Sequence, residues 1–599
     1  MRLAADHGGC RRDGRVRGAA AALVISAAML AGCAGGYTEP AADVTGTTAT
    51  VHGVVFAFEP ADPEIDYWFE FGPTKAYGAS TPHRSLEITD RDNHPVSEDL
   101  TGLEPGTTYH YRVCAEDTVA VCAQDEKLTT AGGAGELVIT ASPSLDPGFD
   151  PGVSDYVTRC DDSPVTVDVT APAGMRVSVD GGSLRNGTFS QQVPLAAGES
   201  FRVVVDDGDG LSTHHVRCLP GNFPAYSWTS PGNPSANFYI TMPRNVQTPG
   251  GDPAGRYVAV FDDHGVPVWW MESSTASDAK LLPDGNLAWG RNEAGGTAAA
   301  GFEVHELDGT LVKTWRTVGA NADIHDFQAL PNGNVLIGSY PARAGTRDLT
   351  AYGGPATNGT PIDAEIQEIR PDGSVAWSWE AKDHIDLDQT PQRWRGWVYG
   401  LPYDLPDGRE GFDWAHMNSF EKVGGELIVS FRHLDAVYAI DIDSGDVVWK
   451  LGGTTTPTSL TVEGDPESNP LGGQHYARIL PGGNLTVYDN NTFEADPPRG
   501  VEYELDPGAG TATLVDSVND PDIAESPCCG SAAKLNDGSW LVSWGGTEQI
   551  SEFGAAGNRH FKLRFTSVAG GSGFSYRVDP ITGPSPTIAD FRAGMNAMP

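Results

Sequence analysis

The sequence predicts an all-β protein whose C-terminal half is a six-bladed β-propeller. Of its 599 residues, 73 are glycine and 43 are proline, and helical periodicity is nearly absent. This composition favours many short strands joined by turns. From about residue 235 the chain also repeats strand and turn signals at intervals of roughly 50 residues, which is typical of propeller blades. Because the chain is too long for one hydrophobic core, we expect further domains before the propeller.

Residues 1–33 have the features of a bacterial export signal. Four arginines lie between residues 11 and 17, and the apolar run of residues 19–29 is too short to span a bilayer. Residues 30–33 read Leu-Ala-Gly-Cys and resemble a lipobox, which implies cleavage before Cys33 and attachment of lipid to its thiol. We therefore expect an extracytoplasmic protein whose only membrane contact is this lipid anchor. A signal with an incidental cysteine is the alternative.

Six cysteines remain beyond the signal, and they fall into three local pairs. In an oxidising compartment such pairs indicate structural disulfides. The predicted disulfides are Cys114–Cys122 and Cys160–Cys218. The adjacent pair Cys528 and Cys529 is either a vicinal disulfide or two thiols, and the sequence leaves that choice open.

The net charge of −41 argues against general binding of nucleic acid, because nucleic-acid-binding proteins present a basic surface. Acidity of this kind generally serves solubility. An anionic substrate would be repelled at long range, so any site for it needs local positive groups.

The first N-terminal domain is predicted for residues 41–131, after a short tether at residues 34–40. Thr50–Val55 and Tyr67–Phe71 have strand-like alternation. Residues 103–112 read Leu-Glu-Pro-Gly-Thr-Thr-Tyr-His-Tyr-Arg and resemble a conserved corner of fibronectin type III domains. The resemblance implies a small β-sandwich.

A second small domain is predicted for residues 136–219. Residues 145–151 read Leu-Asp-Pro-Gly-Phe-Asp-Pro and are followed by Tyr156, a pattern that resembles cadherin-like bacterial β-sandwiches. Two small β-sandwich domains are therefore expected to precede the propeller. Both lack a cluster of catalytic residue types, so we interpret them as spacers or adhesive modules.

The propeller is predicted for residues 235–590 from two alternating signals. Turns precede Trp269, Trp315, Trp377 and Trp449, and glycine-containing hairpin turns lie at 282–286, 330–334, 423–425, 480–484 and 535–538. Asn-Gly and Asp-Gly favour hairpin turns because both residues tolerate positive φ. We count six blades, and the strand Phe238–Met242 is expected to close the ring with a partner near Phe574–Val578.

Three histidines occupy the same position of consecutive repeats. His325, His416 and His475 each lie eight residues before the glycine of their hairpin turn, where two other repeats have Ser277 and Gly530. Equivalent positions in a propeller are related by rotation about the central channel, so the three imidazoles are predicted to converge.

Hairpin geometry adds an arginine to this set. Arg432 lies eight residues after Gly424, as His416 lies eight before it, so the two should be neighbours across the antiparallel hairpin. By strand alternation, Asn418 should share the side of His416, whereas His433 should face away from Arg432.

These residues carry a resemblance to the arylsulfate sulfotransferase family over about residues 235–580. The similar motifs are Ile324–Gln328, Asp413–Ser419, Ser430–His433, Gln474-His475 and Tyr488–Asn490. The resemblance implies sulfuryl transfer from a small phenolic sulfate to an acceptor phenol through a sulfohistidine, with no cofactor, no metal and no phosphonucleotide donor. The family's nucleophile motif falls on His475, and its other channel residues fall on His325, His416, Asn418 and Arg432. A hydroxyl residue of the family has no clear counterpart, since residues 526–531 read Ser-Pro-Cys-Cys-Gly-Ser.

The chemistry suits these residue types. A neutral imidazole can attack sulfur and hold the group covalently, and an arginine fork can bind two sulfuryl oxygens. His325 or His416 could exchange a proton with the phenols. The insertion at residues 380–412 carries Trp394, Trp397 and Tyr399, which either wall an aryl pocket or pack the insertion.

Two other functions are compatible with the pattern. The first is a non-catalytic surface propeller that binds or adheres, as the N-terminal domains and the lipid anchor would suit. The second is a metal site of three imidazoles. Arg432 in the same channel opposes a cation, so the metal site ranks third. The sequence leaves the oligomeric state and the physiological donor and acceptor open.

Overall fold

A computed structural model describes the chain from residue 34 to residue 598 with gaps. The described ranges are 34–57, 64–88, 93–104, 106–117, 119–130, 136–160, 164–172, 174–245, 255–273, 275–291, 300–467, 469–566 and 573–598. The predicted export signal and Cys33 lie outside them. The described residues form an all-β protein with two α-helices, Gln392–Gly400 and Ile588–Ala597. None of their helices has the length and apolar character needed to cross a membrane. The chain divides into two compact units, Met1–Cys218 and Leu219–Pro599.

The first half of the N-terminal unit contains two antiparallel sheets around a core of valine, isoleucine and aromatic side chains. Its strands are Ala34–Ala42, Thr48–Ala57, Glu64–Gly72, Ala79–Ser80, Arg84–Glu87, His94–Thr101, Thr108–Glu116, Ala120–Cys122 and Glu126–Thr129. The residues predicted as a tether belong to the first of these strands, which pairs with the second. The predicted Cys114–Cys122 disulfide is confirmed, and it joins paired strands.

The second half of the N-terminal unit also has two sheets, of three and five strands, on a core rich in valine. Its strands are Val138–Ser142, Leu145–Asp146, Asp155–Arg159, Val165–Ala171, Arg176–Val179, Gly187–Val193, Ser200–Asp206 and Leu211–Leu219. The predicted Cys160–Cys218 disulfide is confirmed. Alternating burial along Val165–Ala171 is the period-two pattern of a strand with one face in the core.

The C-terminal unit contains six sheets of four or five strands among its described residues, and all their pairings are antiparallel except that of Thr461–Glu463 with Thr511–Val518. In spatial order, the first sheet consists of Pro267–Glu272, Tyr257–Asp262, Phe238–Thr241 and Val578–Ile581. The second consists of Ala276–Leu281, Leu287–Arg291, Gly301–His305 and Leu311–Trp315. The third consists of Ala322–Ala329, Val335–Ser339, Glu365–Ile369 and Val375–Glu380. The fourth sheet consists of Met417–Val423, Glu426–Phe431, Ala436–Asp441 and Val447–Gly452. The fifth consists of His475–Ile479, Leu485–Asp489, Arg499–Asp506, Thr511–Val518 and Thr461–Glu463. The sixth consists of Ser531–Lys534, Trp540–Ser543, Gln549–Phe553, Arg559–Thr566 and Ala225–Thr229.

The two ends of this unit meet in the first sheet. Phe238–Thr241 pairs antiparallel with Val578–Ile581, so Thr241 lies opposite Val578. The sequence placed this partner near Phe574–Val578, and the observed strand begins where that range ends. Arg244–Asn245 and Gly573–Phe574 form a further short pair. The closure brings the chain's last strand beside residues that come first in the repeats.

The insertion predicted at residues 380–412 contains the Gln392–Gly400 helix. A small sheet of Gly359–Ile362, Glu410–Asp413 and Tyr403–Asp404 flanks it. Four 3-10 turns complete the elements: Thr350–Tyr352, Ala381–Asp383, Leu387–Gln389 and Arg432–Leu434.

The first strand of several sheets is irregular at one place. Register shifts interrupt the pairing at Ser277/Lys280, Ala322/Phe327, Met417/Ser419 and His475/Arg478. A bulge leaves residues unpaired and redirects their side chains, and bulges are frequent beside active sites. His325 lies inside one of these irregularities, another begins at His475, and His416 directly precedes a third.

Candidate active site

The bulged strand ends bring the in-register histidines into one site. The imidazoles of His325 and His416 lie with ring centroids 5.0 Å apart, and both side chains are about one-fifth exposed. His475 is buried, and its ring feels the charge of Arg432 and that of His416 whenever His416 is protonated. A solvent-reachable pair of histidines therefore adjoins a buried third one.

His475 is held in one orientation by hydrogen bonds to both ring nitrogens. Its Nδ1 lies 2.7 Å from Oδ1 of Asn490. The amide nitrogen of Asn490 donates to the hydroxyl of Ser526 at 2.8 Å, which fixes the oxygen of the amide toward the imidazole. Nδ1 of His475 therefore carries the proton, and the lone pair of Nε2 accepts from the backbone N–H of Cys529 at 3.1 Å.

The environment of His475 favours the neutral imidazole. Burial lowers the pKa of His475 well below its ordinary value, and the positive charge of Arg432 lowers it further. A neutral ring with an unprotonated Nε2 is the form that can act as a nucleophile.

The two exposed histidines each pair with a carboxylate, yet their pKa values move apart. Nδ1 of His325 lies 2.5 Å from Asp323, and Nδ1 of His416 lies 2.5 Å from Asp413. Burial opposes the charged form of both rings. At His325 the Asp323 carboxylate outweighs burial and the pKa is raised, whereas at His416 burial prevails and the pKa is lowered. Divergent pKa values in one site separate a proton donor from a proton acceptor.

Arg432 lies beside His416, as the hairpin geometry predicts. Its backbone N–H donates to the carbonyl of His416 at 2.9 Å. Its guanidinium stands over the ring of Trp394, 4.6 Å from the centroid, and donates to the carbonyl of Pro527 at 2.9 Å. A nearly buried guanidinium thus borders the site.

His433 does not face away from Arg432, and strand alternation was wrong here. The 3-10 turn Arg432–Leu434 breaks the alternation immediately after the strand. Consequently the ring of His433 lies 4.7 Å from that of His416, and its Nε2 accepts from Arg432 at 3.1 Å.

The four residues predicted for substrate binding lie in different surroundings. Asn418 is buried, and its side chain donates to the carbonyl of Gln474, the residue before the buried histidine. Trp394 is buried beneath Arg432, with its ring 4.7 Å from that of His433.

Two of the predicted aromatics have no contact with the histidines. Tyr399 packs in the hydrophobic core against Tyr352 and Phe412. Trp397 is 50% exposed on the helix. Of these three predicted aromatics, Trp394 is the one whose ring lies against a histidine of the site.

Tyr576 is a site residue that the sequence analysis missed. It immediately precedes Arg577 and the closing strand Val578–Ile581, which is the sixth counterpart of the histidine-bearing strands. Its ring lies 5.9 Å from that of His325, and its buried hydroxyl has no hydrogen-bond partner. The closing strand has no hairpin turn after it, so an alignment on turn glycines skips this position. Alignment on strand ends would have found it.

A buried network of ion pairs lies near the histidines. Arg577 is almost fully buried and pairs with Asp278 at 2.8 Å, while its second nitrogen donates to the carbonyl of Asn418 at 2.6 Å. Arg478 and Lys280 pair with Asp326 in the same network. Each of these cations thus has a carboxylate partner, and the charge of Arg577 also acts on His325 and His475.

A metal-ligand set is present, but its members differ from those predicted. Ligand atoms of Asp413, His416 and His433 lie within 4.8 Å of one another. However, Nε2 of His433 already accepts from Arg432, and Nδ1 donates to the carbonyl of Asp413. Both nitrogens of His433 are therefore engaged, and the guanidinium opposes a cation, so the donor set does not suit a metal.

Comparison with solved structures gives distant similarities. A catalytically inactive virginiamycin B lyase from Staphylococcus aureus with quinupristin is 11% identical, with 58% of this chain and 90% of that chain covered and a TM-score of 0.29. A streptogramin B lyase is 10% identical, covering 57% and 98% with a TM-score of 0.28. The sensor domain of an anti-sigma factor in Pseudobacteroides cellulosolvens is 19% identical, covering 17% and 97% with a TM-score of 0.15. Similarities this distant imply nothing about activity.

No curated protein matches the chain. A family model does: the model described as "Arylsulfotransferase (ASST)" matches residues 248–567, more than half of the chain. The match includes the three in-register histidines, Arg432 and the Cys528–Cys529 segment. The chain therefore belongs to the arylsulfotransferase family.

Proposed function

We propose that the protein transfers a sulfuryl group from a phenolic sulfate ester to an acceptor phenol, through a sulfohistidine formed at Nε2 of His475. One observation carries the proposal: the buried imidazole is neutral, and Asn490 holds its proton on Nδ1, so Nε2 is the unprotonated nitrogen. Its lone pair accepts from the backbone N–H of Cys529, and attack on sulfur replaces this hydrogen bond. We further propose that the six sheets are the blades of a propeller and that the site occupies its channel.

The first half-reaction moves the sulfuryl group onto the enzyme. Nε2 of His475 attacks sulfur, and an N–S bond forms as the bond from sulfur to the aryl oxygen breaks. The electron pair of that bond goes to the phenolate oxygen, which takes a proton from His325. The raised pKa of His325 favours the protonated ring that donates this proton.

The second half-reaction reverses these steps with another phenol. Its oxygen attacks the sulfur, the N–S bond breaks, and the electron pair returns to Nε2. The phenolic proton goes to His325, which is then ready for the next donor. His416, neutral at its lowered pKa, lies at ring contact with His325 and avoids placing a second positive charge there.

Charge stabilisation comes from groups that are positioned before the substrate binds. Arg432 places its positive charge near the nucleophile, and its stacking on Trp394 and its hydrogen bonds to His433 and Pro527 limit its motion. The unpartnered hydroxyl of Tyr576 lies on the side of His325 and can donate to a substrate oxygen. Preorganised donors of this kind are usually the largest contribution to group transfer.

The test is turnover of 4-nitrophenyl sulfate with phenol as acceptor, in the wild type and in His475→Ala. We expect phenol-dependent release of nitrophenol that falls by at least about 10³-fold in the variant, as for loss of a covalent nucleophile. Rapid quenching without acceptor should leave the mass of one sulfuryl group on the peptide that carries His475.

Trp397→Ala is the matched control, because this exposed aromatic lies away from the histidines and should retain activity. If the wild type is inactive with every phenolic sulfate, the non-catalytic binding propeller replaces the proposal. If His475→Ala remains active, the sulfohistidine is wrong.

A further inference from the structure

We propose that Cys528 and Cys529 are a reversible thiol-modification site that controls the nucleophile, an inference that rests on the sulfuryl transfer proposed above. Both are free thiols and partly exposed. The other cysteines of the described residues form the two disulfides. The adjacent thiols also hydrogen-bond to each other. They are thus accessible, close together and unused by the fold's own cross-links.

The backbone of this pair is part of the nucleophile's surroundings. The N–H of Cys529 donates to Nε2 of His475 at 3.1 Å, and the carbonyl of Cys529 accepts from the amide of Asn490 at 3.1 Å. Arg432 donates to the carbonyl of the preceding Pro527 at 2.9 Å. One residue therefore contacts both the nucleophile and the amide that orients it.

The same backbone has little freedom to move without disturbing these contacts. Cys529 has φ of 64°, in the left-handed region that non-glycine residues seldom occupy. Gly545 packs so closely that a Cβ at this position would lie 2.2 Å from the carbonyl oxygen of Cys528. A disulfide between adjacent residues closes a small ring that contains the peptide bond between them. Closing it rotates that peptide bond, and the N–H of Cys529 is one of its atoms.

The chemistry requires an oxidant, and an external disulfide serves. The thiolate of one cysteine attacks it and forms a mixed disulfide; the neighbouring thiolate then displaces the second external thiol. The pair loses two protons and two electrons, one S–S bond forms in the protein, and the external disulfide is reduced to two thiols. The Cys529 thiol and the nearby Arg432 and Arg244 charges lower the pKa of Cys528 to about 7, against burial, so Cys528 is the attacking thiolate.

Oxidation of the pair slows sulfuryl transfer. During transfer the sulfuryl oxygens surround the atom bonded to Nε2, beside the N–H of Cys529. That N–H is then a donor to developing negative charge, and displacing one such donor typically costs about 10²- to 10³-fold in rate. Reduction of the disulfide returns the N–H to its place.

The experiment compares the full-length protein after dithiothreitol and after glutathione disulfide. Peptide masses should show that the peptide with both cysteines loses two hydrogens on oxidation. Turnover of 4-nitrophenyl sulfate should fall at least about tenfold and recover with dithiothreitol, given the donor effect above. The double variant Cys528→Ser/Cys529→Ser keeps the backbone N–H but has no thiol that could form either a mixed disulfide or the ring, so its turnover should not respond. It also controls for reduction of the two structural disulfides.

A second readout is independent of turnover. Diethyl pyrocarbonate carbethoxylates His475, and the mass of the modified peptide reports how accessible Nε2 is. We expect the rate of carbethoxylation to differ at least about threefold between the reduced and the oxidised protein, a smaller change than that expected for turnover. A disulfide that forms without changing either readout would overturn the proposal, as would failure of the disulfide to form. If the reduced protein shows no turnover, the proposed sulfuryl transfer is refuted. The difference in carbethoxylation rate between the reduced and the oxidised protein then still tests whether Cys528 and Cys529 act on His475.

Discussion

The opposed pKa shifts of His325 and His416 assign roles that residue types alone leave open. Both rings pair with a carboxylate at the same distance, and both occupy the same position of their repeats. Neither fact tells which histidine exchanges the proton. At His416 burial, together with the charges of His325 and Arg432, outweighs the Asp413 carboxylate. At His325 the Asp323 and Asp413 carboxylates outweigh burial and the charge of Arg577. We infer that His325 exchanges the proton with substrate.

Replacement of Asp323 by Asn tests this assignment. His325 must be protonated to act as an acid, so activity is present below its raised pKa and is lost as the pH rises through it. Without this carboxylate, burial and the charge of Arg577 oppose only the smaller effect of Asp413, and the pKa of His325 falls. We expect the alkaline limb of kcat/KM for phenyl sulfate to move to lower pH by about one to three units.

The control is the same variant with 4-nitrophenyl sulfate, whose phenolate leaves without much protonation. Its pH profile should change less than that of phenyl sulfate. An alkaline limb that stays in place for phenyl sulfate would assign the proton to another group.

At the scale of elements, the hairpins made part of the site predictable. Alignment on turn glycines found His325, His416 and His475, because each precedes an ordinary two-strand hairpin. The same reasoning failed at His433, where a 3-10 turn replaces the strand, and at Tyr576, whose strand has no hairpin after it. The partners of the histidines depend on bulges and loops that have no short-range sequence signal.

The close packing of Gly545 against the Cys528–Cys529 backbone gives a prediction for this element. In Gly545→Ala the new Cβ meets backbone atoms of both cysteines at 2.2 Å, so the segment must shift. We expect the variant to lose about 1–3 kcal/mol of stability, as overpacked sites do, and to lose activity because the N–H at His475 moves.

Gly396→Ala is the matched control, since Gly396 lies in the Gln392–Gly400 helix and a Cβ there meets nothing within 4 Å. Urea midpoints and 4-nitrophenyl sulfate turnover compare the two variants. The control should be unchanged or slightly more stable. Equal behaviour of both variants would show that the backbone at the cysteines tolerates displacement.

For the whole molecule, composition and repeats predicted an all-β chain, and the described residues confirm it. The arrangement of the six larger sheets as six blades stays a prediction. Phe238–Thr241 pairs with Val578–Ile581, more than 300 residues further along the chain. This pairing was predicted approximately because the two strands lie at the beginning and the end of the repeats. The tether expected at residues 34–40 is part of a strand instead, because its backbone pairs with Thr48–Ala57. The sequence of these seven residues alone gives no sign of this partner.

The net charge of −41 predicts how salt should affect the proposed reaction. An aryl sulfate anion meets a repulsive field before it reaches Arg432, and the Debye length shrinks from about 30 Å at 0.01 M salt to about 8 Å at 0.15 M. We therefore expect kcat/KM for 4-nitrophenyl sulfate to rise about two- to tenfold over this range, as long-range repulsion is screened. The KM of phenol, an uncharged acceptor at neutral pH, should stay constant in the same assays. A fall in kcat/KM with salt would mean that local attraction by Arg432 and Arg577 extends beyond the site and governs substrate entry.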